Sequence, residues 1–297
     1  MPKLLSRLIY FNAIAGVNTT YKDYLSITKD QGEEGLCWAY SLTSAIEMKY
    51  ALKTGNRLML DPLTLYNNSV KWYKKHKKAY KDEIYSNCFD YAELGGYSPF
   101  CAIGFLHDSK QEMKYMNGNN SNIYVSDAGL SEIKTVNDLI NSLRTHNILY
   151  SGINSDVIND NYLTPIFEDY YLLNETNHGV VITAIGTIDS IDGVYIEILN
   201  SWGYKVGYDG LFYIKVADSL ESELINNMNI FNYNFWLDVD RMNKEDIFIA
   251  LIIILGVLLL ISIFIIIIIL GIYKSNRKKK NNDLDNELKV EINEARV

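Results

Sequence analysis

Gln31-Gly32-Glu33-Glu34-Gly35-Leu36-Cys37-Trp38-Ala39-Tyr40-Ser41 is the stretch from which the rest of the chain can be read. Cys37 stands at the head of a run with apolar or small residues at helical spacing: Ala39, Leu42, Ala45, Ile46, Met48 and Tyr50, with a stop near Gly55. A thiol reacts as its thiolate. A helix N-terminus favours that form by turning backbone N–H groups and the positive end of the helix dipole toward the sulfur. A lone cysteine in such a place is more often a small buried hydrophobe than a nucleophile. The weight of this one rests on its partners further along the chain.

Four histidines exist: His76, His107, His146 and His178. His76 lies in a lysine-rich run, Lys71 to Lys81, which reads as a solvated face. His107 and His146 fall at expected helix ends. His178 opens a β-rich stretch, Val180 to Ile185, and Asn200 follows the next one, Val194 to Leu199. A side-chain amide can hold one imidazole nitrogen and fix the tautomer, leaving the other to take a thiol proton. Trp202 is placed to cover that hydrogen bond from water. Gln31 offers a side-chain N–H that, with the backbone N–H of Cys37, can stabilise a developing oxyanion. No metal-ligand spacing stands out, and no cofactor is expected.

The order of elements gives the fold class. Residues 1–30 read as an irregular lead-in. Helices are expected from Cys37 to Thr54, from Asp61-Pro62 onward, from Pro99 to Leu106 and from Val136 to Arg144, with residues 107–133 as loop. From Ile148 the texture turns to strand, ending with Leu211 to Val216. Helices first and strands later imply an α+β fold in two halves.

A different physics governs the C-terminus. Ile247 to Tyr273 is apolar apart from Gly256, Ser262 and Gly271, and carries no charge. A hydrocarbon core of roughly 30 Å needs about 20 helical residues, so the run is long enough to span a bilayer. A buried core helix would show polar positions at helical period, and this run has none. The expected divisions are a lead-in (1–20), a catalytic domain (21–240), a juxtamembrane linker (241–246), a transmembrane helix (247–273) and a charged tail (274–297). Lys274, Arg277, Lys278, Lys279 and Lys280 after the helix place the tail in the cytoplasm by the positive-inside rule. The N-terminus reads as lacking a signal peptide, which instead suggests a tail anchor with the large domain in the cytosol. The side that the domain faces stays open. The net charge of −8 gives no reason to expect nucleic acid as a partner.

Together these residues carry a resemblance. Gln31-Gly32, Gly35-Leu36-Cys37-Trp38-Ala39-Tyr40-Ser41, Asn177-His178-Gly179-Val180-Val181 and Asn200-Ser201-Trp202-Gly203 resemble the motifs of papain-like (cathepsin-like) cysteine peptidases, in the family's order. The separation of about 140 residues between Cys37 and His178 agrees with that family's spacing, with Asn200 slightly further on. The resemblance implies a papain-like two-lobed fold, a helical lobe followed by an antiparallel β-barrel-like lobe. It also implies peptide-bond hydrolysis through an acyl-enzyme: Cys37 as nucleophile, His178 as base and acid, Asn200 orienting it, Gln31 at the oxyanion. Gly95-Gly96 resembles the glycine pair that binds the extended backbone of a peptide substrate. Glu34 and Glu93 stand where the family usually bridges two cysteines. Glu33 and Glu34 are expected to favour basic substrates or to raise the Cys37 pKa. One bridge remains available, between Cys88 and Cys101. Val206 replaces a usual tryptophan, and the inhibitory pro-segment is read as missing. The expected partners are a protein or peptide substrate and a lipid bilayer. Two alternatives stay open, a catalytically impaired papain-scaffold binding protein and an acyl transferase of the same fold.

Overall fold

Helix α1 (Cys37–Thr54) runs without proline or glycine and stops at Gly55, which takes the left-handed conformation at φ 72° and donates its N–H to Ala51 O at 2.8 Å. These features belong to the computed structural model of the chain. It describes residues 11–17, 26–33, 35–76, 99–109, 113–155, 158, 165–168, 176–222, 224, 234–241, 249, 252–270 and 272–274. Unlike an amphipathic surface helix, α1 is buried on almost every side. Its polar residues are therefore each given a partner: Ser41 Oγ donates to Gly179 O, Thr43 Oγ1 to Ala39 O, and Lys49 Nζ to His146 O.

Among the described residues, four helices and a large sheet belong to the first of two compact units, residues 1–242. Helix α2 (Pro62–His76) starts at proline, where a missing N–H costs nothing, and Asp61 accepts from the backbone N–H of Leu63 and Thr64. Helix α3 (Pro99–Ser109) packs with α1 and α2 around Trp38, Leu42, Ile46, Tyr73 and Phe105. Helix α4 (Val136–His146) begins at a reciprocal capping box between Thr135 and Asp138. Its buried Val136, Leu139, Ile140 and Leu143 belong to a second core, with Val180, Ile182, Ile196, Phe212 and Ile214 of the sheet. Two cores in one unit are the physical content of the two expected halves.

The strands are β1 (Phe11–Gly16), β2 (Ile123–Leu130), β3 (Leu149–Ile153), β4 (Ile166–Phe167), β5 (His178–Ile188), β6 (Ile191–Leu199), β7 (Leu211–Ala217) and β8 (Asn234–Arg241). The order is β2-β8-β3-β5-β6-β7-β4, with β1 also on β5. All described pairings are antiparallel except β4 with β7. The expected strands are present at β5, β6 and β7. Two segments differ from expectation. Residues 11–16, read as irregular, form β1, and residues 123–130, read as loop, form β2. Neither shows clean alternation, because each carries a bulge against its partner. Their pairing is supplied by β5 and β8, far away in the chain.

The second unit, residues 243–297, contains the helix Ile252–Lys274. Its described side chains are all exposed, and its 23 residues would extend roughly 35 Å, enough to cross a bilayer.

One buried ion pair braces the start of the chain against α1. Lys29 Nζ lies 2.5 Å from Glu47 Oε2, and Glu47 also accepts from Ser26 Oγ and from the N–H of Leu60. Burial holds the Lys29 pKa below its ordinary value even though Glu47 opposes the shift. Removing Glu47 would leave a desolvated ammonium, so Glu47→Ala is expected to destabilise this unit by about 3 kcal/mol in denaturant unfolding. The double variant Lys29→Met/Glu47→Leu should recover most of that loss.

Candidate active site

Cys37 is the first residue of α1, and its N-cap residue, Leu36, has no side chain to satisfy the helix's N-terminal N–H groups. Those groups serve the sulfur instead. The backbone N–H groups of Cys37, Trp38 and Gly179 each favour the thiolate, while burial opposes it more strongly and leaves the thiol pKa raised overall. The exposed Glu33 has no part in that shift, contrary to expectation, and Glu34 lies outside the described residues.

His178 enters from the sheet. It is the first residue of β5, paired in register with Ile153 of β3. The turn before it is held by Asn177, whose N–H donates to Ile153 O and whose Oδ1 accepts from the N–H and the hydroxyl of Ser155. The imidazole Nε2 meets Asn200 Oδ1 at 2.6 Å, with both residues buried. Asn200 Oδ1 also accepts from the N–H of Ser201 at 2.7 Å. Two donors on one oxygen fix which way the amide points, since a flipped Asn200 would bring its NH₂ against an N–H. Nε2 is therefore the protonated nitrogen of the neutral ring, and Nδ1 is the basic one. The Trp202 ring packs tilted against His178 with centroids 4.8 Å apart.

Gln31 arrives by strand-like pairing between residues 29–31 and 201–203. Its N–H donates to Ser201 O at 2.9 Å, and the N–H of Gly203 donates to Lys29 O at 2.9 Å. Ser201 Oγ donates to Gln31 Oε1 at 2.6 Å, so the carboxamide presents its Nε2 on the other side. Ser201 thus holds Gln31 through its hydroxyl and Asn200 through its N–H. Sequence reasoning quoted Ser201 within a motif and gave it no task. Ser41 was missed in the same way, although one helical turn after Cys37 puts it on the same face.

Gly179 is where helix and sheet meet. A Cβ there would stand 2.5 Å from the Tyr150 hydroxyl and 3.2 Å from the Cα of Trp38. Only bare backbone lets α1 approach β5 this closely. Cys37 is free and Cys101 is disulfide-bonded. The other cysteine, Cys88, lies outside the described residues, as do Gly95, Gly96 and Glu93. Among the described residues, no group of three or more His, Cys, Asp or Glu side chains is arranged to hold a metal.

With the geometry in place, comparison with known proteins is direct. The profile described as "Papain family cysteine protease" matches residues 17–232, and the chain belongs to that family. It is 26% identical to mouse cathepsin S over 73% of this chain and 63% of that protein, and 28% identical to procathepsin L of Felis catus over 68% and 60%. The chain thus spans somewhat less than two thirds of the length of these relatives. Its fold resembles that of digestive procathepsin L 3 from Tenebrio molitor larval midgut, with a TM-score of 0.56 at 19% identity over 80% of this chain and 73% of that one. The bromelain protease of Ananas comosus gives a TM-score of 0.55 at 16% identity over 75% and 98%.

Burial of His178 pushes its pKa down to about 4, with the Asn200 bond opposing the shift. The folded value lies below the unfolded value of about 6.5, so stability from this group is present above that value and is lost as pH falls toward 4. In the variant Cys37→Ala no thiol proton can pass to the imidazole. NMR of Cys37→Ala is expected to show His178 titrating near 4, with about 3 kcal/mol of stability lost between pH 6.5 and 4.

Proposed function

We propose that the protein is a membrane-tethered thiol peptidase that hydrolyses peptide bonds through an acyl-enzyme at Cys37. The observation that carries the reading is the Asn200–His178 hydrogen bond. It leaves Nδ1 as the basic nitrogen in a residue whose neighbour, Gly179, serves the Cys37 sulfur. Burial disfavours a lone thiolate and a lone imidazolium alike. Moving one proton from sulfur to Nδ1 creates both charges side by side, so each offsets the desolvation of the other.

In the first step Cys37 Sγ attacks the peptide carbonyl carbon. The carbonyl oxygen becomes an oxyanion, and its donors are the backbone N–H of Cys37 and Gln31 Nε2, held in place by Ser201. The His178 imidazolium gives its proton to the departing amine, and a thioester to Cys37 remains. Neutral His178 then takes a proton from water as the water attacks the thioester, and the returning proton releases the acid product and restores the thiol. Asn200 keeps the ring aligned through both transfers, and Trp202 keeps water off the bond that aligns it. Gly95 and Gly96 are proposed to bind the substrate backbone by strand-like pairing.

The substrates are proteins or peptides. The apolar helix Ile252–Lys274 and the basic residues that follow it support a bilayer as the second partner, restricting substrates to those near one membrane. Neither a cofactor nor a nucleic acid enters this mechanism.

One experiment tests the chemistry and the tether together. Membranes carrying the full chain are treated with a thiol-alkylating peptide epoxide and then washed with carbonate. The adduct is expected on Cys37 and in the membrane pellet, absent from Cys37→Ala, and formed with Gln31→Ala while peptide turnover falls about 100-fold. Equal labelling of wild type and Cys37→Ala would refute the nucleophile, and adduct released by the wash would refute the tether.

A further inference from the structure

Tyr150 lies on β3 beneath the meeting point of α1 and β5. Its side chain is 1% exposed, and its hydroxyl has no hydrogen-bond partner among the described residues. That is unusual for a tyrosine, whose hydroxyl normally finds a partner when buried. An unsatisfied buried hydroxyl costs stability, and phenylalanine would fill the same space without that cost. The location suggests what the hydroxyl is for. The point 2.5 Å from it, where a Gly179 Cβ would stand, is also 3.2 Å from the Cα of Trp38. The hydroxyl is therefore packed at Gly179, where α1 comes closest through Trp38, and the backbone N–H groups of Gly179, Trp38 and Cys37 serve the Cys37 sulfur.

Charge at Cys37 reaches Tyr150. Burial is the first cause of the raised tyrosine pKa, and Cys37 is the second. A thiolate thus keeps the tyrosine protonated, and by reciprocity a protonated tyrosine favours the thiolate. The other titratable groups on the elements around β3 have their own partners: Glu47 is paired with Lys29, Lys49 with Asp238 of β8, His178 with Asn200, and His146 stacks on Trp236.

We propose that the Tyr150 hydroxyl is a further donor of the thiol site, unpaired while Cys37 is a thiol and hydrogen-bonded to Sγ once it is a thiolate. The tyrosine keeps its proton throughout, and the thiol proton goes to His178 Nδ1. The gain from satisfying the hydroxyl is made only in the charged state, so it acts on ionisation of Cys37 and not on the fold while Cys37 is a thiol. This assignment rests on Cys37 being the nucleophile.

The test is the rate of Cys37 alkylation by iodoacetamide against pH, in the full chain in detergent, for wild type and Tyr150→Phe. Wild type is expected to show a reactive ionisation well below that of a free peptide thiol. Tyr150→Phe should move its midpoint up by about one pH unit and slow alkylation below the midpoint about tenfold, with the unfolding temperature, measured below the midpoint where Cys37 is a thiol, unchanged or higher. A low wild-type midpoint that Tyr150→Phe leaves in place would overturn the Tyr150 assignment alone. A wild-type midpoint no lower than a free thiol's would overturn the reading of Cys37 and this one with it. A Tyr150→Phe chain that does not fold would also overturn it, because the hydroxyl would then be holding the fold.

Discussion

Gly179 is a residue without a side chain where one could not fit, at the meeting of α1 and β5. Its N–H serves the Cys37 sulfur, its carbonyl accepts from Ser41 one turn further along the same helix, and its bare Cα lets Trp38 and Tyr150 close around it. Trp38 belongs to the core around the helices, while the neighbouring Val180 belongs to the core of the sheet. The thiol and the imidazole come from opposite sides of that seam. Side chains brought together from two separately packed cores are held by both, and that rigidity suits the proton transfer proposed between them.

The same seam explains the electrostatics. Each reacting group is buried enough that its own charge is disfavoured, and the groups around them are mostly backbone N–H donors and one accepting amide oxygen, fixed before any charge appears. Such dipoles need no reorganisation when the proton moves. Asn200 illustrates the point: its Oδ1 is committed to His178 and to the N–H of Ser201, so the amide cannot turn without breaking two hydrogen bonds.

Much of this was legible in the residues themselves. Helix α1 and strands β5, β6 and β7 are contiguous and locally periodic, so their own composition announces them. Gln31, Cys37, His178 and Asn200 stand out in the sequence because thiol chemistry restricts which side chains can serve and in what order; the structure joins His178 to Asn200 and Gln31 to Ser201, and their catalytic roles are the proposal. Strands β1 and β2 were not, because each is bulged and owes its conformation to a partner more than a hundred residues away. The tasks of Ser201, Ser41 and Gly179 were hidden for a related reason. A serine or a glycine carries no chemical signature, and its importance appears only when the partner across the seam is known. Family membership accounts for the shared plan. It does not account for the exposed Glu33, for the apolar C-terminal helix, or for a tyrosine whose hydroxyl is buried beside a thiol.

The central claim is that His178, held by Asn200, takes the Cys37 proton to give a thiolate in the resting enzyme. The near-ultraviolet absorbance of a thiolate, taken as the part of the spectrum that alkylation of Cys37 abolishes, measures this directly. At pH 6 the wild type is predicted to show a thiolate signal that His178→Ala lacks. Equal signals in the two proteins, or none in either, would contradict the account.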